Sequence, residues 1–479
     1  MNRSTATLLL VFAVALAVRL AGLGRLPLWY DEAGALEVIT APDRDAMREA
    51  YVRSEVGKGP FFYVFLRVFT SVFGTGLIAL RLPSAIAGAV AAAAAGAWAA
   101  GLSRAFPVCG GRGSPEVAAL FAGLAIALHP LSAALAREAR SFAFCGAFLF
   151  ASAAGSVIAY LGVAGVDPAR ERRWRIYTPL LAALGTSAHL CGGFFVAGLV
   201  AATAGGMLAR GRPLRLLVPG AALYLIVLAA ELPLNIEKTA IFYAAGGGGP
   251  EVSWRDIAHY ARVLLGGGPA GYAVAAVAIY LSWRGRREGR VLLPLAAGVI
   301  SFGCVVAAQF LVTPILIGGV RYMAWLAAPL AAVLAAAALG RGPGRSLLGA
   351  ILLAALATGN FAQAGEQRVY AEDWREVVSR LAAGAAPGDA VLASGRTVCT
   401  ALRYHGLPGS IVVADLRGPG PEGLRAAARE VKRADGRFFV VWSHPRDRSL
   451  DPPAVLAGEF GPPVEILASP AIRVFRFGP

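Results

Sequence analysis

Eleven apolar segments, each long enough or nearly long enough to cross a bilayer, divide the first three quarters of this chain. They fall at about 5–22, 80–101, 115–130, 139–162, 176–188, 189–208, 214–232, 258–282, 291–312, 322–340 and 346–363. Every second connection between them is basic. Arg104 and Arg112 lie in one, "RERRWR" (170–175) in the next and "RGRPLR" (210–215) in the one after, and "WRGRREGR" (283–290) and "RGPGR" (341–345) complete the series. Alternating arginine-rich loops are the signature of cytoplasmic connections. The pattern predicts a polytopic α-helical membrane protein of about eleven transmembrane helices, with its N-terminus inside and its C-terminus outside. Composition agrees: 57% of residues are hydrophobic, 15% are charged and the mean hydropathy is +0.62. A soluble domain is nearer a quarter charged. The net charge of +16 therefore reflects topology, not a nucleic-acid partner. Five cysteines are scattered without a CxxC pair, which argues against a zinc ribbon or a disulfide framework. The N-terminal apolar run is followed by the bulky "GLGRLPLWY" in place of a small-residue cleavage site, so it reads as a retained anchor helix.

Residues 23–79 are expected to form an outer loop with interfacial helices. Within it, "PFFYVFLRVFTSVFG" is aromatic-rich, carries Arg67 and is too short and too polar for a span, so it reads as a helix lying in the membrane plane. The membrane domain is expected over 1–362 and a small extracytoplasmic α/β domain over 363–479. In the latter, "DWREVVSRLAAGA" has helical periodicity, and "DAVLAS", "SIVVADL", "RFFVVWS" and "AIRVFRF" read as short buried strands. The chain has neither a GxxxxGK[ST] phosphate loop nor a GxGxxG after a strand, and "GGGG" at 246–249 sits in an outer loop.

Polar residues gather at the outer ends of the predicted spans. Asp31 and Glu32 follow the first, and Lys58 precedes the interfacial helix. Arg81 opens the second span, and Arg137, Glu138 and Arg140 start the fourth. His189 stands between the fifth and sixth, and Arg321 and Tyr322 open the tenth. Charge at membrane depth is costly and by default marks function. Singly, each has a plainer reading: the acids as a solvated loop, Glu138 as a local ion-pair cluster, Arg321 and Tyr322 as an interfacial anchor, His189 as a packed histidine. Convergence on one membrane face favours a site. His129, before Pro130, ends a helix and takes no role.

In order along the chain, these pieces resemble the polytopic glycosyltransferases of the GT-C superfamily, of the family 39 and aminoarabinose-transferase-like type related to the protein O-mannosyltransferases. The family's W-x-DE after the first span matches Trp29, Asp31 and Glu32, and its [HK]-x-P-x-x-Y matches Lys58, Pro60 and Tyr63. Phe73, Gly74 and "RLPSA" (81–85) match a third pattern. Glu138, Ala139 and Arg140 match EARxY, with Phe142 in place of tyrosine. A late RY with a downstream proline matches Arg321, Tyr322 and Pro329, and "DWR" at 373–375 matches the start of the outer domain.

The resemblance implies a sugar transferase of a bacterial inner (plasma) membrane, facing outward, and a one-step displacement would make it inverting. Its donor would be a polyprenyl-phosphate sugar and its acceptor a glycolipid, glycan or protein hydroxyl. Such a reaction needs a base for the hydroxyl and cations for the departing phosphate. Asp31 is the candidate base, with Glu32 and Glu138 beside it as acids that orient the acceptor or, with His189, bind a divalent metal. Lys58, Arg81, Arg140, His189, Arg321 and Tyr322 are the candidate substrate-binding residues, arginine being suited to bidentate phosphate recognition. A divalent metal is the one cofactor this chemistry leaves open, and the membrane lipid itself is a partner. The rival from another class is a transporter or flippase. Against it, the acids sit at span ends and the chain shows no matched pair of broken helices.

Overall fold

The computed structural model describes residues 2–54, 57–107, 114–244, 253–264, 280, 288–311, 321, 323–338, 349–351, 353–359, 373–415, 420–431, 437–443, 451–469 and 472–478. The chain is mostly helical and divides into two compact units, one of residues 1–23, 56–237 and 248–365, the other of 24–55, 238–247 and 366–479.

The first unit is a helical bundle. Its described helices are α1 (Arg3–Leu20), α4 (Pro60–Phe73), α5 (Leu77–Ala105), α6 (Pro115–Leu128), α7 (Pro130–Leu135), α8 (Phe142–Tyr160), α9 (Pro168–Ala188), α10 (Gly192–Ala209), α11 (Val218–Ala244, whose last turns belong to the second unit), α12 (Trp254–Leu264), α13 (Gly289–Leu311) and α14 (Ala327–Ala338). Among the described residues, six helices are long and apolar enough to cross a membrane: Arg3–Leu20, Leu77–Ala105, Phe142–Tyr160, Gly192–Ala209, Leu214–Ile241 and Gly289–Phe310. In lipid there is little hydrophobic force between helices, so association relies on close packing at small residues. The bundle shows this at α5 and α6. A Cβ on Gly123 would stand 2.5 Å from Val11 Cγ1, and one on Gly96 would stand 2.6 Å from the Ala119 carbonyl oxygen.

Arginines, two of them buried, take up carbonyls at the helix ends. Arg19, fully buried, donates to the Ala127 and Ile126 carbonyls at 3.4 Å each, in the last turn of α6, and to Ser132 Oγ at 3.2 Å. Arg137 donates to the Val18 carbonyl at 2.6 Å, near the end of α1, and Arg81 to the Leu23 carbonyl just beyond it at 2.9 Å. Cations at helix C-termini satisfy unpaired C=O groups and oppose the dipole. Helix α4 has only 14 residues and leaves Val64, Phe65, Val68, Val72 and Phe73 exposed along it.

The basic stretch 170–175, expected as a loop, is helical. Asp167 caps α9 by accepting from the Ala169 N–H at 3.0 Å, Pro168 takes the first helical position, and Glu171 pairs with Arg175 one turn on. The charged stretch Arg137–Arg140 before α8 is not yet helical: it forms turns and bends, and the helix begins at Phe142. The "GGGG" at 246–249 lies outside the described residues.

The second unit contains α2 (Tyr30–Ile39), α3 (Arg44–Arg53) and the C-terminal sheet domain, made of α15 (Trp374–Gly384), β1 (Ala390–Ala393), α16 (Arg396–Tyr404), β2 (Val412–Asp415), α17 (Gly420–Val431), β3 (Phe438–Ser443), α18 (Pro452–Phe460), β4 (Val464–Ala468) and β5 (Ile472–Phe477). The sheet order is β2-β1-β3-β5-β4. β1 is parallel to β2 and β3, while β5 runs antiparallel to β3 and β4. Every residue of β1 and β3 is buried, as central strands with covered faces must be. Phe438, Phe475, Phe477, Leu424 and Leu456 form the core between the sheet and α17 and α18. Four of the five strands fall where their apolar runs predict. The fifth, β4, is an edge strand with mostly exposed residues and no alternation to betray it.

Candidate functional site

At one end of the helical bundle, the starts of α4, α8 and α10 meet the end of α9. The segment Gly57-Lys58-Gly59 enters α4 and is strapped to the α9–α10 junction by two backbone hydrogen bonds: Gly59 N–H to the Ser187 carbonyl and Leu190 N–H to the Gly57 carbonyl, each 2.7 Å. Gly57 has a φ of +87°, which glycine adopts freely, and its α-carbon faces the His189 ring, 3.5 Å from where a Cβ would stand. Gly59 is tighter still. A Cβ there would fall 2.0 Å from the Ser187 oxygen, so the "KGP" sequence needs its glycine. Lys58, held between the two glycines, is buried.

His189 is buried and stacks on Phe142 with ring centroids 4.8 Å apart. The Arg140 guanidinium lies 4.8 Å from the centroid of the same ring. A phenyl ring in contact with both a cation and an imidazole helps to order them without competing for their hydrogen bonds. Arg140 is fully buried, its carbonyl accepts from Ser84 Oγ at 3.0 Å, and its N–H donates to the Glu138 carbonyl at 2.8 Å. The turn 137–140 thus presents Glu138, half-buried, next to Arg140. Arg137, on the same turn, is turned to the end of α1, and burial pushes its guanidinium below its usual pKa.

One acid absent from the expected set belongs to this cluster. Glu231, in α11, accepts from Ser187 Oγ at 2.5 Å, and its other carboxylate oxygen points at Gly59, 3.0 Å from where a Cβ would be. That second oxygen is buried and has no hydrogen-bond partner among the described residues. Its sequence signal is an acid inside an apolar run, "LIVLAAELPLN", where a charge is expensive.

The structure therefore brings Lys58, Glu138, Arg140 and His189 to one end of the bundle, with Ser187 and Glu231 added. Arg81 is at the same end, buried, with one arm on the Leu23 carbonyl. Arg321 is half-buried in a 3-10 stretch leading to α14, and Tyr322 lies outside the described residues. Asp31 and Glu32 belong to the second unit, in the first turn of α2. There the buried Glu32 folds back and accepts from the Trp29 N–H at 3.4 Å, whereas Asp31 is half-exposed. Carboxylates in a helix's first turn are favoured by its dipole. Among the described residues, no three His, Cys, Asp or Glu side chains stand together in a group able to hold a metal ion.

No family model and no curated protein matches this sequence. The fold does match. ArnT from Cupriavidus metallidurans in the apo state aligns with a TM-score of 0.65 at 14% identity, over 99% of this chain and 98% of that one. The same protein bound to undecaprenyl phosphate gives 0.59 at 15% identity with the same coverage. The archaeal oligosaccharyltransferase AglB from Archaeoglobus fulgidus, in complex with an inhibitory peptide and a dolichol-phosphate, gives 0.51 at 13% identity over 92% of this chain and 69% of that one. Both are GT-C membrane glycosyltransferases, and the chain has their fold.

Proposed function

We propose that this chain is a glycosyltransferase moving a sugar from a polyprenyl-phosphate donor to an acceptor hydroxyl on the outer face of a bacterial plasma membrane. The observation that carries this reading is the end-to-end fold likeness to a protein solved with undecaprenyl phosphate. It is joined by the burial of Lys58 and Arg140 at one end of the bundle, beside His189. Buried cations suit a substrate whose leaving group is a lipid phosphate.

In this reading the acceptor oxygen attacks the anomeric carbon as the bond from that carbon to the phosphate oxygen breaks. The acceptor's proton passes to the Asp31 carboxylate, and the bonding pair leaves on the phosphate. Lys58, Arg140 and Arg321 stabilise the polyprenyl phosphate that results, with Arg81 and Tyr322 as further substrate-binding residues. Glu32, Glu138 and His189 orient the acceptor. One displacement inverts the anomeric centre. Asp31 rather than Glu32 is assigned the proton because Asp31 is the residue that matches the aspartate of the family's W-x-DE pattern. The topology that goes with this is about eleven spans with the N-terminus inside, α4 in the membrane plane and the C-terminal domain outside. The acceptor is a glycolipid, a glycan or a protein.

Purified protein in vesicles carrying a polyprenyl-phosphate sugar should release polyprenyl phosphate, and faster when an acceptor is added than with water alone. Arg321→Ala should abolish release, and Arg321→Lys should restore part of it, since lysine lacks the planar fork. Passage of intact donor across the bilayer without sugar release would instead support a flippase.

A further inference from the structure

The helix that bears the acid pair is built into the C-terminal domain. Residues 24–55 form one compact unit with 366–479, and α2 packs along α16. Gly34 in α2 faces Thr397, with 3.7 Å between the position of a Cβ on Gly34 and Thr397 Cγ2, so the two helices meet at ordinary contact distance. His405, directly after α16, has its Nε2 3.3 Å from the Leu28 carbonyl, three residues before Asp31. Arg396, at the first position of α16, pairs with Glu49 of α3 at 3.5 Å. α16 in turn is the crossover between β1 and β2, parallel neighbours in the sheet. Its Val398, Ala401 and Leu402 are fully buried. A helix fixed at both ends to a sheet is a stiff support, and a reacting carboxylate has to be held within a fraction of an ångström.

We propose that the C-terminal domain is the seat of the acid pair: α16 holds α2, and His405 is a positioning residue that fixes the turn presenting Asp31. This rests on Asp31 being the base in the function proposed above. A domain that only bound acceptor could be dispensable for the attack of water on the donor. A domain that seats the base cannot.

The test uses the full-length chain carrying Gly34→Cys and Thr397→Cys, with each single variant as control. The two β-carbons stand within about a bond length of the 3.5–4.5 Å separation a disulfide needs. Diamide should take two electrons and two protons from the thiol pair and lock α2 to α16 in the double variant only. The locked protein is expected to transfer sugar within threefold of its reduced form. Failure to cross-link overturns the packing, and loss of transfer that dithiothreitol reverses overturns the fixed seat. Should the wild-type protein turn over no donor, the functional reading fails, while the cross-link still reports the packing. For His405, the Ala variant should lower kcat about five- to tenfold with the donor KM unchanged, the size expected of one lost hydrogen bond. His405→Gln, which keeps an N–H, should recover most of it. A variant that melts earlier but keeps wild-type kcat would make His405 structural and sink its assignment.

Discussion

Removing the Ser187 hydroxyl should loosen the lysine-bearing segment more than its small size suggests. Ser187 Oγ makes the one hydrogen bond that Glu231 has with a side chain among the described residues, at 2.5 Å, and the other Glu231 oxygen is already buried without a partner. Ser187→Ala strands both oxygens of a part-buried carboxylate. A hydrogen bond to a charged group contributes about 1.5–3 kcal/mol, so a local cost of about 2 kcal/mol is expected. That cost falls on the Ser187 backbone, whose carbonyl holds the Gly59 N–H at 2.7 Å. Hydrogen exchange at the Gly59 amide, followed by mass spectrometry of the full chain in lipid nanodiscs, should therefore accelerate about thirtyfold. Glu231→Ala, added to Ser187→Ala, should slow exchange again, because it removes the stranded charge itself. Unchanged exchange in Ser187→Ala, or further acceleration in the double variant, would refute this account of Glu231.

Three further outcomes are expected. Asp31→Asn should lower transfer by about two to four orders of magnitude, the usual worth of a general base, while Glu32→Gln, whose amide oxygen can still accept from Trp29, should be the milder change; NMR of the product should show an inverted anomeric centre. Gly123→Leu should destabilise the bundle by about 1–3 kcal/mol through overpacking, read as a lower melting temperature in detergent. Gly205→Ala, inside α10 with nothing within 4 Å, should keep or slightly raise that temperature, because alanine is the better helix former. Cysteines placed at 173 and 435 should label from the cytoplasmic and outer sides respectively; cytoplasmic labelling at 435 would overturn the proposed topology and the outer-face site with it.

Apolar length and period were enough to read a helical membrane chain followed by a small α/β domain, because burial along an element repeats every few residues and is written locally. What escaped was written across distance. The start of α9 looked like a loop because its arginines read as a topological signal, yet Asp167 and Pro168 begin a helix there regardless of the membrane. Lys58, Glu138, Arg140 and His189 stand out by charge at span ends, and the fold places them at one end of the bundle. Glu231 has little local signal because its meaning lies in Ser187, 44 residues away. The attachment of α2 to α16 could not be read at all: His405 and Leu28 are 377 positions apart, and nothing near either one announces the other.

The arginines at the helix ends also set a timetable for biosynthesis. When α1 leaves the ribosome, the carbonyls at its C-terminal end lack the groups that will satisfy them. Arg81 follows Leu23 by 58 residues, and Arg137 follows Val18 by 119. At about 5–20 residues per second, the second of these arrives roughly 6–24 s later. Through that interval the end of the first helix must be shielded by water, the insertion machinery or lipid headgroups, because bare carbonyls are not tolerated in hydrocarbon. The end of α1 is thus unfinished until residue 137 has been made, and the nascent bundle cannot close around it until α5 and the turn before α8 have been inserted.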